Sequence, residues 1–375
     1  MKRLHVISFN VPWPANYGGV MDVYYKLEAL HRLGLSITLH CYQYEHEEQP
    51  TDRLLGVCDR VYYYPRERGL SANLHWLPYN VYGRRGEELM VHLLEDDAPI
   101  LFDGLQSCYF LTDVRLKARI KIVRPANVEH HYYRAIAKAE RGLIGKAFHY
   151  IEAFKFALFE AKLRSADLLL PVSETDATYY AARFPRKGVL CVPCFHSYRF
   201  VETSLGSGAY ILYHAKLSVP ENEVAALWLI NHVFSQLSVP VVIAGMKPSR
   251  RLEKTAVKAG VRLVSNPDEQ TMQKLIREAH IHLLWTNQPT GLKLKLLNSL
   301  FLGRHVIVND LMLVGTGLER LCHVAHSASE AVDLCHVLMK QPITEDLLRE
   351  RRELLSTRYD TIEQAKRIAS YLFGN

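Results

Sequence analysis

Nothing in the 375 residues approaches the ~20 unbroken apolar positions that a membrane-spanning helix needs. The chain opens Met1-Lys2-Arg3 and runs into an apolar stretch at 4–9, but that stretch is short and has no small-residue cleavage site. It reads as a first buried strand and not as a signal peptide, which places the protein in the cytoplasm. Cysteine is too irregular for a disulfide framework: there are seven, scattered, with Cys41, Cys108 and Cys335 inside apolar runs. Cys191 and Cys194 form a lone C-x-x-C with no second pair or histidines at zinc-site spacing, so buried thiols in a strand-like 189–195 are expected. No Asp-x-Asp motif, internal repeat or low-complexity segment occurs, and no nucleic-acid-binding motif.

What is present is the balance of a globular protein, 49% apolar and 23% charged, at a length that suits two domains. The net charge of +7 is uneven. Residues 115–164 hold twelve Lys/Arg against four Glu, enough for one basic face. Such a face suits phosphates or anionic lipid, or is simply a solvated helix side; without a motif, nucleic acid is not expected as a partner.

Strands alternate with helices along the chain. Apolar runs at 4–9, 36–42, 60–64, 99–103, 120–124 and 167–172 predict strands buried on both faces, with a helix at 20–33 stopped by Gly34. Residues 140–165 predict one long helix rich in aromatics. Its repeat of Leu143, Ala147, Ile151, Phe154 and Leu158 has the spacing of a packed face, with a membrane-lying surface as the alternative. The segment 199–208, ending Ser204-Leu205-Gly206-Ser207-Gly208, has linker chemistry. After it the pattern restarts: strands at 210–214, 239–244, 262–264, 281–285 and 305–308, and helices at 221–236, 249–259, 269–279 and 292–302. This predicts an α/β protein of two doubly wound, Rossmann-like domains facing each other across a cleft. The domains are 1–199 and 209–358, with 359–375 a final helix packing back on the first domain.

Four segments carry candidate chemistry. The turn Asn10 to Gly19 places Gly18 and Gly19 at a helix N-terminus, where the backbone can approach an anion. It is not Gly-x-Gly-x-x-Gly, which disfavours a nicotinamide or flavin dinucleotide. At the same point of the second half, Ser218 and Glu221 have capping-box spacing with Pro220 in the first turn, leaving Lys216 at a strand tip to meet a diphosphate. In Thr290-Gly291-Leu292-Lys293-Leu294-Lys295, a helix opening near Leu292 puts Lys293 in its first turn, where its charge opposes the helix dipole unless an anion binds. Glu129-His130-His131-Tyr132-Tyr133 follows strand 120–124 on a loop pointing at the cleft; adjacent histidines with no third ligand make a poor metal site.

The third segment, continuing through Asn298 to Gly303 and an apolar strand, resembles the family 4 glycosyltransferases of the GT-B fold. In that family two glutamates eight residues apart contact the donor; the matching positions are Thr290 and Asn298, which can hydrogen-bond but not carry charge. Gly291-Leu292-Lys293-Leu294-Lys295-Leu296-Leu297-Asn298 is most similar to a bacterial, Bacteroides-type subgroup. Residues 218–222, Ala244-Gly245-Met246-Lys247-Pro248, Asn127 to His130 and Thr316-Gly317-Leu318 also fit it.

The resemblance implies sugar transfer from a nucleoside-diphosphate sugar to a glycan or lipid-linked acceptor, with anomeric retention, without metal or cofactor. Glu129, His130, Lys216 and Lys293 are the catalytic candidates. Gly18, Gly19, Gly245, Lys247, Thr290, Gly291, Leu292, Lys295 and Asn298 are the donor-binding ones. The enzyme is then cytoplasmic, working at the inner membrane surface if its basic face meets anionic lipid. A nucleotide-sugar epimerase and an inactive scaffold subunit are the other readings open to this fold.

Overall fold

The computed structural model describes residues 2–43, 49–67, 69, 75–140, 142–289 and 291–374. Seven strands form the first sheet: β1 (Arg3–Ser8), β2 (Ser36–Gln43), β3 (Arg60–Pro65), β4 (Ile100–Asp103), β5 (Lys121–Arg124), β6 (Leu168–Leu169) and β7 (Gly188–Val189), in the order 3-2-1-4-5-6-7. The second sheet has β8 (Ile211–Ala215), β9 (Val241–Gly245), β10 (Arg262–Ser265), β11 (Ile281–Leu284), β12 (His305–Val308) and β13 (His323–Val324), in the order 10-9-8-11-12-13. All pairings in both sheets are parallel; Val6, for instance, lies opposite Leu39 on one side and Leu101 on the other. The strand order reverses beside β1 and beside β8, so each domain has its ligand crevice at the carboxyl ends of those strands.

Each sheet is covered on both faces, which is why its strands read as unbroken apolar runs. Ile7 and Phe102 face one core of the first domain, and Leu4, Val6 and Leu101 the other. The latter core also takes Ala365, Ile368 and Leu372 from the helix Thr361–Phe373. The chain passes between domains twice. Val192 and Phe195 belong to the first domain's core and Tyr198 and Val201 to the second's. The segment 199–208 is bound along the second domain, with Glu202 N–H donating to Phe301 O at 2.8 Å and Gly206 bridged to Ile343. The return is at Tyr359–Thr361, next to the outward passage: His196 Nε2 is 2.9 Å from Tyr359 O, and Thr361 Oγ1 donates to His196 O at 3.3 Å.

Two polar networks run through the first domain, the first fully buried and the second reaching half-buried ends at Asp96 and His92. Arg124, fully buried, grips both oxygens of Asp22 at 2.8 Å, while Lys26 pairs with Asp103 just beneath the β1 and β4 tips. Along the sheet, His5 Nε2 lies 3.0 Å from Asp96 Oδ1, and His5 Nδ1, His40 and Tyr64 continue a chain of 2.8 Å contacts ending at His92 Nδ1. Burial holds the pKa of His5 below the usual histidine range and that of His40 well below it.

The sequence reading of this domain needs three corrections. Residues 140–165 are not one helix. The helix Glu129–Ala139 ends at Glu140, whose backbone is extended like that of Gly142, and a second helix, Leu143–Phe159, leads into a 3-10 stretch at Glu160–Ser165. The cluster Glu129 to Tyr133 lies in the first turns of the former helix, not on a loop. The strand-like 189–195 is strand only at Gly188–Val189; Cys191 and Cys194 follow in coil, half-buried, and burial pushes the Cys191 thiol up to about 12.

Candidate functional site

The loops after β1 and β8 and the start of the helix Leu294–Leu302 enclose a cavity of about 310 Å³ between the domains. Asn16, Tyr17 and Gly18 line it from the turn after β1, with Asn127 and Tyr132 from beyond β5. The second domain contributes His214, Lys216, Glu221, Asn222, Gly245, Gln288, Leu292, Lys293, Lys295 and Asn298.

Glycine is needed at two of these points. A Cβ on Gly245 would sit 1.9 Å from Ala215 O, so only glycine lets the tips of β8 and β9 lie together. Gly291 has φ +65°, and its Cβ would fall 2.3 Å from Asn127 Oδ1 across the domain gap. Gly18 meets Leu294 in ordinary contact, whereas Gly19 packs against Phe9 and does not line the cavity.

Lys293 is the N-cap of its helix, not a first-turn residue: its own backbone is extended and the helix starts at Leu294. Its Nζ is 3.4 Å from Gly291 O, and that of Lys295 is 3.1 Å from Asn222 Oδ1. Burial draws both lysines down to a pKa of about 8, against the opposing pull of the Glu221 carboxylate. Lys216 places its ammonium 3.6 Å from the centre of the Tyr17 ring, a cation–π contact across the gap, and burial lowers its pKa too. Three polar atoms at the cavity are buried with no hydrogen-bond partner among the described residues: both ring nitrogens of His214 and Asn298 Oδ1. His214 is neutral, its pKa lowered to about 3 by burial. Buried polar atoms are nearly always paired, so these three stand out.

Other candidates fall elsewhere. Lys247 is exposed and left-handed (φ 50°), its N–H donating to Asn266 Oδ1 at 2.7 Å, outside the cavity. Thr290 lies outside the described residues. Glu129 is buried beneath the cavity wall, and burial raises its carboxyl to about 7. His130 turns away from the cleft, its Nδ1 3.3 Å from Glu160 Oε2. Of the cluster Glu129 to Tyr133, Tyr132 alone lines this cavity, while Glu129 and His130 are buried.

Sequence reasoning missed Glu221 as a site residue by assigning it to a capping box. That box does not form: the helix Pro220–His232 has Val219 as N-cap with no side-chain cap. Glu221 instead accepts from the Thr286 hydroxyl and from Asn287 N–H at 3.2 Å, which orients it towards the lysines. An unused acid in a first turn next to a strand tip was the available signal. A second cavity of about 400 Å³ shares Asn16, Met21, Met246, Met272 and Asn298 with the first and extends it towards Asn266 and Asp268. Among the described residues no three His, Cys, Asp or Glu side chains are grouped to hold a metal ion, and no helix is long and apolar enough to cross a membrane.

Two domains with a shared cleft at their strand tips are found in known proteins. The structure is similar over 99% of this chain and 98% of the other to sucrose-phosphate synthase of Thermosynechococcus elongatus, with a TM-score of 0.73 at 14% identity. It is similar to HepE of Anabaena, solved with UDP and glucose, over 99% of both chains, with a TM-score of 0.67 at 12% identity. The fold is GT-B. The chain therefore has a glycosyltransferase-like architecture of two parallel-sheet domains. In sequence it is 25% identical over 359 residues, 90% of each chain, to an uncharacterized 44.6 kDa protein of the cps region of Klebsiella pneumoniae. No family model matches it.

Proposed function

We propose that this GT-B protein is a hexosyltransferase of the family 4 type, moving a sugar from a nucleoside-diphosphate sugar to a glycan or lipid-linked acceptor, with retention and without a metal. The reading rests on one observation: Lys293 and Lys295, held near pKa 8 by burial, stand at a helix start beside the unmatched His214 and Asn298. A diphosphate entering there brings the negative charge that makes both ammonium ions favourable, and it gains the N–H groups of the helix start. When the bond from sugar C1 to the diphosphate breaks, negative charge grows on the leaving oxygens, and the preorganised lysines stabilise it. The Met-lined extension towards Asn266 suits a nucleobase, and Asn298, shared by both cavities, is placed to bond a ribose or sugar hydroxyl. The acceptor enters from Asn16, Tyr17, Asn127 and Tyr132 of the first domain.

The test is a panel of nucleotide sugars offered in EDTA, with and without lipid-linked acceptor, the product anomer being read by NMR. Acceptor-dependent transfer with retention supports the proposal. Conversion of the nucleotide sugar without acceptor makes the protein an epimerase. Nucleotide binding with no turnover on any donor makes it a scaffold.

A further inference from the structure

The helix Leu143–Phe159 packs Ala153, Phe156 and Phe159 into the core, yet its charges do not lie where those of an ordinary surface helix do. Two of its charges are on the buried side: Glu152, which accepts from Tyr79 N–H at 2.7 Å, and Lys155, which donates to Glu152 at 3.0 Å. Its outer side is apolar throughout. Leu143 is 84% exposed, Ile144 90%, Phe154 64% and Leu158 57%, with Ala147, Tyr150 and Ile151 filling the intervening turns. The periodicity expected to mark a packed face is real, but among the described residues nothing covers it. The apolar stripe runs the full helix, about 25 Å at 1.5 Å per residue.

We propose that this face docks on an anionic lipid bilayer, the helix lying in the interfacial plane. Charge complementarity selects that occupant. Lys146 stands on the helix itself, Arg134 and Lys138 on the preceding one, and Lys162 at its far end, where its ammonium lies 5.2 Å from the Phe159 ring centre and 5.9 Å from that of Trp76. Trp76, 65% exposed, adds the aromatic that favours the headgroup layer. An apolar stripe with a basic rim and an interfacial tryptophan is the pattern of helices that lie on membranes. A second copy is the poorer occupant, because it would set two such rims against each other on molecules that each carry +7. Lys138 and Ala139 also line a cavity of about 470 Å³ with Glu221 and Gln288, so the helical hairpin joins the apolar stripe to the edge of the interdomain site.

The proposal stands apart from the sugar-transfer reading, since it needs no catalysis. The experiment is cosedimentation of the full chain with phosphatidylglycerol-containing vesicles and with pure phosphatidylcholine, across a salt series. Binding to the anionic vesicles is expected at low salt, weakening as salt rises, with none to phosphatidylcholine. Ile144→Asp with Phe154→Asp, both on the open face, is expected to lower vesicle partition at least about tenfold. The variant should keep its melting temperature and its UDP or GDP binding. Protein left in the supernatant at low salt overturns the proposal, as does binding that survives both substitutions. So does a dimer in sedimentation equilibrium that the substitutions split.

Discussion

The backbone N–H of Gly291 in the second domain donates to Asp176 Oδ2 of the first at 3.2 Å, fastening the two domains at the edge of the cavity. Asp176 opens the helix Glu174–Arg183, and burial raises its pKa. The same glycine leaves no room for a side chain: Ala126 O lies 2.8 Å from where its Cβ would be.

Gly291→Ala is expected to weaken UDP or GDP binding about tenfold or more, because the methyl group would push against Asn127 and Ala126 and hold the domains apart. Backbone strain alone, of order 1–3 kcal/mol for a left-handed alanine, would lower stability too. Gly260→Ala separates the effects, since Gly260 is also left-handed (φ 68°) but has nothing within 4 Å of its Cβ position. Calorimetric titration of both variants should find nucleotide affinity lost only in the first. Equal affinities would show that Gly291 answers only to its own backbone.

Lys293→Ala removes a charge-assisted phosphate contact of about 1.5–3 kcal/mol. Nucleotide affinity should drop by roughly one to two orders of magnitude at about 1.4 kcal/mol per decade. The melting temperature of the free protein should hold or rise, since burial already disfavours this ammonium. Lost stability with unchanged affinity would make the lysine structural.

The same burial gives a pH signature. Both Lys293 and Lys295 have folded pKa values of about 8, below the ordinary lysine value of 10.5, and bound diphosphate must raise them. Affinity for UDP is therefore expected to be level between about pH 7 and 8 and to fall above 8 as the free protein sheds the protons that binding needs. The contribution of these two lysines to the stability of the free protein runs the other way and increases from pH 8 towards 10.5, where only the unfolded chain still holds their protons, while buried thiols such as Cys191 and Cys335, whose pKa burial raises, act against it above about pH 9. Affinity that does not change between pH 7.5 and 9.5 would contradict this assignment.

Acid should unfold the protein early. Burial lowers the pKa of His196 and His305 to about 4, that of His214 to about 3, and those of His40 and His282 well below the usual value. These rings stay neutral in the fold, while the unfolded chain takes up protons near pH 6.5. The stability they contribute is complete above that pH and is lost as pH falls through it towards 4. Calorimetry should show the melting temperature level at pH 7–8 and dropping steadily below 6.5; a level response down to pH 5 would contradict the neutral assignment.

The central strands of both sheets were legible in the sequence because β1, β4, β5, β9, β11 and β12 are buried on two faces and read as apolar runs without a partner, whereas the two-residue, half-exposed edge strand β13 left no such run. Periodicity alone does not say which side of a stripe meets protein. In the helix Leu143–Phe159 the inward charges Glu152 and Lys155 are satisfied by each other and by Tyr79, a tertiary arrangement with no local trace. Lys293 and Lys295 were readable as odd cations at a helix start. Glu221 was not, because a first-turn acid is satisfied equally by capping and by Thr286 and Asn287, 65 residues on or more. The contact of His130 with Glu160, 30 residues later, left no local trace for the same reason.

The two crossings between the domains lie side by side, laced by His196 to Tyr359 and by Thr361 to His196. Paired straps make a door hinge where a single thread would make a swivel. Such a pair would favour bending about the line through both straps and resist twisting across it. Opening about that line would swing Lys216 away from the Tyr17 ring and closing would return it to the same ring, so the cleft would keep its register. A cut in one strap should free the twist without separating the domains.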